Sequence, residues 1–147
     1  MNLLRYQRFL ACLISLTGLC LGLLIYANLR GDNLILHAFL KNIGLFKGLQ
    51  LPDTWFVDLR LPGWFKFALP DGLWMFSLGL IVRAVWNFTW HKLSIFWYSL
   101  ALTTGLLQEL LQKTSLVPGI FDWTDMLFIL VGGLLPLVLF TRQKVNH

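Results

Sequence analysis

Four long apolar stretches, residues 9–29, 69–86, 93–112 and 124–141, dominate this chain, and the segments between them are mostly short. A hydrocarbon core about 30 Å thick is crossed by about 20 helical residues, because in lipid a segment must satisfy its own backbone N–H and C=O groups. Four such helices would occupy about half of the 147 residues, which leaves no room for a second domain. The composition points the same way: 57% of residues are hydrophobic and 13% charged, with a mean hydropathy of +0.69, too apolar for water as solvent. The expectation is an all-α membrane protein, one domain over residues 1–147, built as a four-helix transmembrane bundle. No internal repeat or low-complexity tract interrupts it.

The first span follows Arg5 and Arg8 and precedes Arg30, as in a signal peptide with Ala27 near a cleavage point. Its apolar stretch exceeds the usual h-region of about 7 to 15 residues, so it reads as a retained anchor. Pro70 and Asp71 suit the start of the second span, since proline fits a first turn and a carboxylate fits the positive end of the helix dipole. Arg83, near the other end, is expected to snorkel. The third span turns polar at Gln108, Glu109 and Gln112, and the fourth carries Gly132, Gly133 and Pro136, residues that favour close packing or a kink. Most of the seven tryptophans fall near span ends, as an aromatic belt would.

Cys12 and Cys20 share the first span about 12 Å apart and cannot pair, so they read as small hydrophobes of a buried helix. His37, His91 and His147 lack ligand spacing, and no histidine-based metal site or other cofactor is expected. The net charge of +5 is scattered between apolar spans rather than gathered in a stripe, which argues against nucleic acid. The basic residues read instead as topology signals. Arg5, Arg8, Arg83, Lys92, Arg142 and Lys144 fall on one side of a four-span chain, and only Lys113 lies in the opposite short loop. Both termini are therefore expected in the cytoplasm, with the chain in a cell inner membrane. In the long outer loop, residues 30–68, Leu34, Ile35, Phe39, Ile43 and Phe46 recur at helical spacing, which predicts an interfacial helix. Residues 50–69, with Trp55, Phe56, Trp64, Phe65 and Phe67, predict an aromatic loop at headgroup level, either a structural cover or a lid touching lipid.

On this topology Asp71, Glu109, Asp122 and Asp125 all reach the outer leaflet. Glu109 and Gln112 share one helix face, as do Asp122 and Asp125, and Gln108 extends the polar end. Acidic groups at a span edge are costly unless they face a cavity or a partner. Asp71 and Asp122 also suit helix capping, and Asp125 suits a first turn. Glu109 is harder to assign to capping, because it lies a full turn before a helix end whose dipole disfavours anions. The ligand-binding candidates are thus Asp71, Gln108, Glu109, Gln112, Asp122 and Asp125, with Glu109 foremost and Asp125 expected to face it.

The run Glu109, Leu110, Leu111, Gln112, then Val117 to Asp125, then Gly132 and Gly133 resembles the C-terminal signature of the VanZ-like membrane proteins. In that family a Glu-x-x-Gln helix end leads through a Pro-Gly-type turn to Phe-Asp-x-x-Asp and a glycine-containing last helix. Asp71 to Phe76 is similar to the family's Asp-Lys-x-x-His-Phe. The departures are Gly72 and Met75 where the family has lysine and histidine, Ile120 where it has arginine, and Ile129 where it has asparagine. The resemblance covers about residues 71–133. It implies a bacterial envelope protein, with some relatives linked to glycopeptide (teicoplanin) resistance, but supplies no reaction.

Three functions compete. The first is a non-enzymatic envelope protein whose outward carboxylates bind a lipid headgroup, a cationic ligand or a glycopeptide-type compound. The second is a membrane enzyme acting on a lipid-linked substrate, with Glu109 as acid or base and Asp125 or Asp71 as companion. The third is a small subunit of a larger membrane complex or a homo-oligomer, with Gly105, Gly132 and Gly133 as helix contacts.

Overall fold

A computed structural model describes residues 3–29, 41–44 and 61–139. Among them the chain is all-helical, without strands, in four helices: α1 Leu3–Leu29, α2 Gly63–Val85, α3 Lys92–Lys113 and α4 Trp123–Leu139. Two of these, over Leu4–Leu29 and Gly63–Val85, are long and apolar enough to cross a membrane. α4 is as apolar but has 17 residues, and α3 is the most polar of the four.

α2 is the hub, with α1 and α4 packed along it and α3 held more loosely. Small residues make these approaches close. On α1, Ala11, Ser15, Gly18 and Gly22 recur every three or four positions on one buried face. A Cβ at Gly18 would strike the Ser77 hydroxyl, and one at Gly22 the Trp74 indole. Farther along α1, Tyr26 rests on Trp74 with ring centroids 5.4 Å apart. Between α2 and α4 the backbones themselves touch. A Cβ at Gly132 would lie on the Gly72 carbonyl, and one at Gly72 would fall 3.0 Å from the Phe128 carbonyl oxygen.

The helix ends follow local chemistry. After α2, the Phe88 N–H donates back to the Arg83 carbonyl at 2.7 Å, and Asn87 and Phe88 take φ of 53° and 57°, turning the chain sharply into α3. His91 begins α3, its N–H bonded to the Ser94 hydroxyl at 2.8 Å. After α3, the Ser115 and Leu116 N–H groups donate to Gln112 and Leu111. Gly119, at φ 150°, then lets the chain pass over the Gln112 side chain.

α2 starts six residues before the expected span. Pro62 is extended at ψ 154° and Gly63 opens the helix, so Pro70 lies buried inside it and Asp71 becomes an interior position. A proline within a helix is tolerated where neighbours compensate for its missing N–H, and the first-turn reading of Pro70 did not anticipate that. Trp64, Phe65 and Phe67 accordingly belong to a helix rather than to an aromatic loop. Trp64 stacks on Phe128 of α4 at 5.8 Å. The expected interfacial helix lies outside the described residues except Lys41–Gly44, where Gly44 N–H bonds the Lys41 carbonyl, and Trp55 and Phe56 lie outside them too. Cys12 and Cys20 are exposed on α1 rather than buried.

The interior mixes an apolar cluster of Ala11, Leu80, Ala84 and Phe88 with polar side chains, while many large hydrophobic side chains lie outside. Ser15, Ser77, Arg83, Ser94, Glu109 and Asp125 are buried, while Phe9, Leu93, Phe96, Leu127 and Leu134 stand more than half exposed. Arg83 does not snorkel outward. It is 3% exposed, with its guanidinium over the Trp90 ring at 4.2 Å. Trp90 in turn meets Tyr98 edge-on, and the Tyr98 hydroxyl donates to the Gly133 carbonyl, tying α3 to α4.

Candidate functional site: a three-helix carboxylate cluster

At the opposite end from Arg83, three helices each contribute one carboxylate. Asp71 from α2, Glu109 from α3 and Asp125 from α4 place one oxygen apiece within 4.8 Å of one another. Glu109 and Asp125 are 4% and 6% exposed, and Asp71 is half-buried. The fold explains the convergence. The turn after α3 makes α3 and α4 antiparallel, so the end of one and the first turn of the other share a level. The early start of α2 brings Asp71 inward to that level from the middle of its helix.

Like charges meet in this group. Two unit charges about 5 Å apart repel by on the order of 3 kcal/mol at an effective dielectric of about 20, so three ionised carboxylates call for a cation or shared protons. The amino end of α4 lends a partial positive charge beside Asp125, while the carboxyl end of α3 opposes Glu109. Oxygen-only donors of this kind suit a compact hard cation or an ammonium group.

The other candidates have separate places. Asp122 is exposed and caps α4, its Oδ1 accepting the Thr124 N–H and hydroxyl, each at 2.8 Å. Gln112 packs its carboxamide under Gly119 in the α3–α4 turn. Gln108 is exposed beside Glu109 at the mouth of a groove between α2 and α3. Sequence reasoning weighed a metal only from histidine spacing and so missed that carboxylates alone could form a ligand set. It also missed the groove, which is lined by Trp74, Leu78, Trp86, Trp97 and Ala101 among others and has a volume near 670 Å³. At the end of α3, Lys113 Nζ lies 5.2 Å from the Phe121 and Trp123 ring centroids.

The Asp122 bonds hold its carboxyl below the ordinary value of 3.8, the Thr124 backbone N–H contributing most and its hydroxyl next. A depressed carboxyl stabilises the folded state fully above its unfolded pKa and loses that contribution as pH falls through the folded value. Asp122→Ala should therefore cost about 1 kcal/mol at neutral pH, the usual worth of an N-cap, and progressively less below about pH 3.8. Thermal unfolding in detergent across that range checks both.

The chain matches no protein-family model, no curated protein and no solved structure.

Proposed function

We propose that this chain is a VanZ-like integral membrane protein of the bacterial cell envelope that holds a cationic group among Asp71, Glu109 and Asp125. The convergence of three carboxylates from three helices, two of them buried, carries the reading. Such a group is costly in an apolar bundle unless a cation or proton is its purpose. All four helices cross the bilayer in this reading. Its support is the outer surface, where large aliphatic and aromatic side chains such as Phe9, Leu93 and Phe96 stand exposed, as suits a hydrocarbon solvent.

Both termini are cytoplasmic in this proposal, because Arg83 and Lys92 share one end of the bundle and the carboxylates the other. A reporter fused after His147 should then be active only in the cytoplasm, and periplasmic activity would move the site to the inner face. The ligand is a compact cation, from either of two sources, a divalent metal ion or an amine. Titrating purified protein in detergent with Mg²⁺ and, separately, with methylammonium distinguishes them. Saturable binding of one, lost in an Asp71→Asn, Glu109→Gln, Asp125→Asn variant of normal yield, supports the site. Binding of neither would sink it.

A further inference from the structure

The turn between α3 and α4, residues 114–122, has a composition unsuited to water. It holds Leu116, Val117, Pro118, Ile120 and Phe121, and Asp122 is its one charged residue. Ile120 is 89% and Leu116 73% exposed, and Ile120 is the most exposed large hydrophobic side chain among the described residues. Local bonds hold the turn in this shape. The Thr114 hydroxyl and the Leu116 N–H both donate to the Leu111 carbonyl at 3.0 Å, Ser115 takes φ 58°, and Gly119 rests on the Gln112 side chain. The exposed tip is thus presented by a defined backbone.

Two further observations say what meets it. At the foot of the turn, exposed Lys113 lies over both the Phe121 and Trp123 rings, which meet edge-on with centroids 5.0 Å apart. Tryptophan and lysine together suit a membrane boundary, where the indole keeps one wet edge and the ammonium reaches headgroup phosphates. Leu107 and Leu110 of α3 and Leu127 of α4 are exposed as well, so the apolar outer surface of these helices runs on into the turn.

We infer that the α3–α4 turn is a membrane anchor, seated where the headgroups of the bilayer meet its acyl chains, with Leu116 and Ile120 among the acyl chains and Lys113 at the phosphates. Two opposed costs select this depth. Non-helical backbone facing lipid has no place within the hydrocarbon core, because its N–H and C=O groups need partners. Large apolar side chains in turn lose free energy when left in water. The boundary satisfies both. The inference rests on the reading that all four helices cross the bilayer and adds the depth at which they sit. Glu109 lies about 6 Å along α3 from Lys113, so an anchored turn places the carboxylates beneath the headgroups.

The test uses the full chain in phosphatidylcholine vesicles, with Cys12→Ala and Cys20→Ala as background and one nitroxide label at a time on Leu116→Cys, Ile120→Cys, Leu127→Cys or Lys92→Cys. Collision rates with oxygen, which enters lipid, are compared with those of a polar nickel chelate, which hydrocarbon excludes. The ratio of the two rates at positions 116 and 120 should exceed that at 92, an exposed position at the opposite end of the bundle, by about fivefold or more and approach that at 127. Should a labelled variant fold poorly, tryptophan quenching by lipids brominated high on the acyl chain reads the same depth, and Trp123→Phe should remove part of it.

Ratios at 116 and 120 equal to that at 92, with 127 lipid-like, would overturn the anchor and leave the four spans standing. A label at 127 as open to the chelate as one at 92 would overturn both. An immobilised label at 120 shielded from both reagents would show a second copy of the chain covering the turn, and the inference would fall.

Discussion

Gly132→Leu should give little or no folded protein, the largest effect expected of any single substitution in this chain. A side chain at that position has nowhere to go, because its first carbon would lie on the Gly72 carbonyl and near Gly72 Cα and C. Backbone cannot rotate aside as a side chain can, so α2 and α4 must separate along their whole contact. Gly132→Ala should already cost more than about 3 kcal/mol, above the usual range for overpacking a core. Two neighbours calibrate the claim. A Cβ at Gly133 would meet the flexible tip of Leu102 at 2.9 Å, and one at Gly105 the tips of Ile129 and Met75 at 3.3 Å. Gly133→Ala and Gly105→Ala should therefore cost about 1 to 2 kcal/mol at most. Membrane yield and thermal unfolding of the three alanine variants give the order, and a Gly132→Ala protein as stable as Gly105→Ala would show that the helices are not in backbone contact.

Glu109→Gln should separate stability from binding, because the two respond with opposite sign. The glutamine keeps the size and the hydrogen-bonding capacity of the side chain but removes one of three mutually repelling charges. Without ligand, the variant should unfold no earlier than the parent and gain on the order of 1 kcal/mol, as buried charges often do on neutralisation. Cation affinity should fall by about thirtyfold or more, the loss expected when one partner of a buried charge contact is removed. A variant that binds cations as the parent does, at normal abundance, would remove Glu109 from the site. One that loses binding only because it fails to fold would show as lost yield.

Element placement was readable from the chain to the extent that apolar length decides it. The ends of α3 and the start of α4 fall within a residue of the expected spans, since Gln112, Lys113 and the turn through Gly119 stop one helix and Asp122 caps the next. α2 was misjudged because Pro70 carries the usual mark of a first turn, and only the packing around it shows a proline inside a helix. Which way each helix faces was hidden for a different reason. Because exposed and buried positions alike are often apolar here, hydrophobic periodicity loses its contrast, and the small residues Ala11, Ser15, Gly18 and Gly22 mark the buried face instead. Cys12 and Cys20 were misplaced by the same loss of contrast.

Within the site, Glu109 and Asp125 were visible as a pair because a short turn obliges their helices to be neighbours. Asp71 looked like a cap for as long as α2 was thought to begin beside it. Gln112 shares a helix face with Glu109, yet the turn at Gly119, seven residues on, takes up its carboxamide, a contact that only the positive φ of that glycine gives away.

The contact between Gly72 and Gly132 also sets a dimension. Asp71 adjoins one of the two touching backbones, and Asp125 lies two turns along the helix from the other. The spacing of α2 and α4 near these two aspartates is thus gauged by main chain against main chain, with the Phe128 side chain packed against Gly72 beside it. Glu109 stands on the loosely held α3 and is the one jaw of the three whose distance can be adjusted. In the proposed cation site, tuning toward a larger or smaller cation would come chiefly from α3, because α2 and α4 meet backbone to backbone at Gly72 and Gly132.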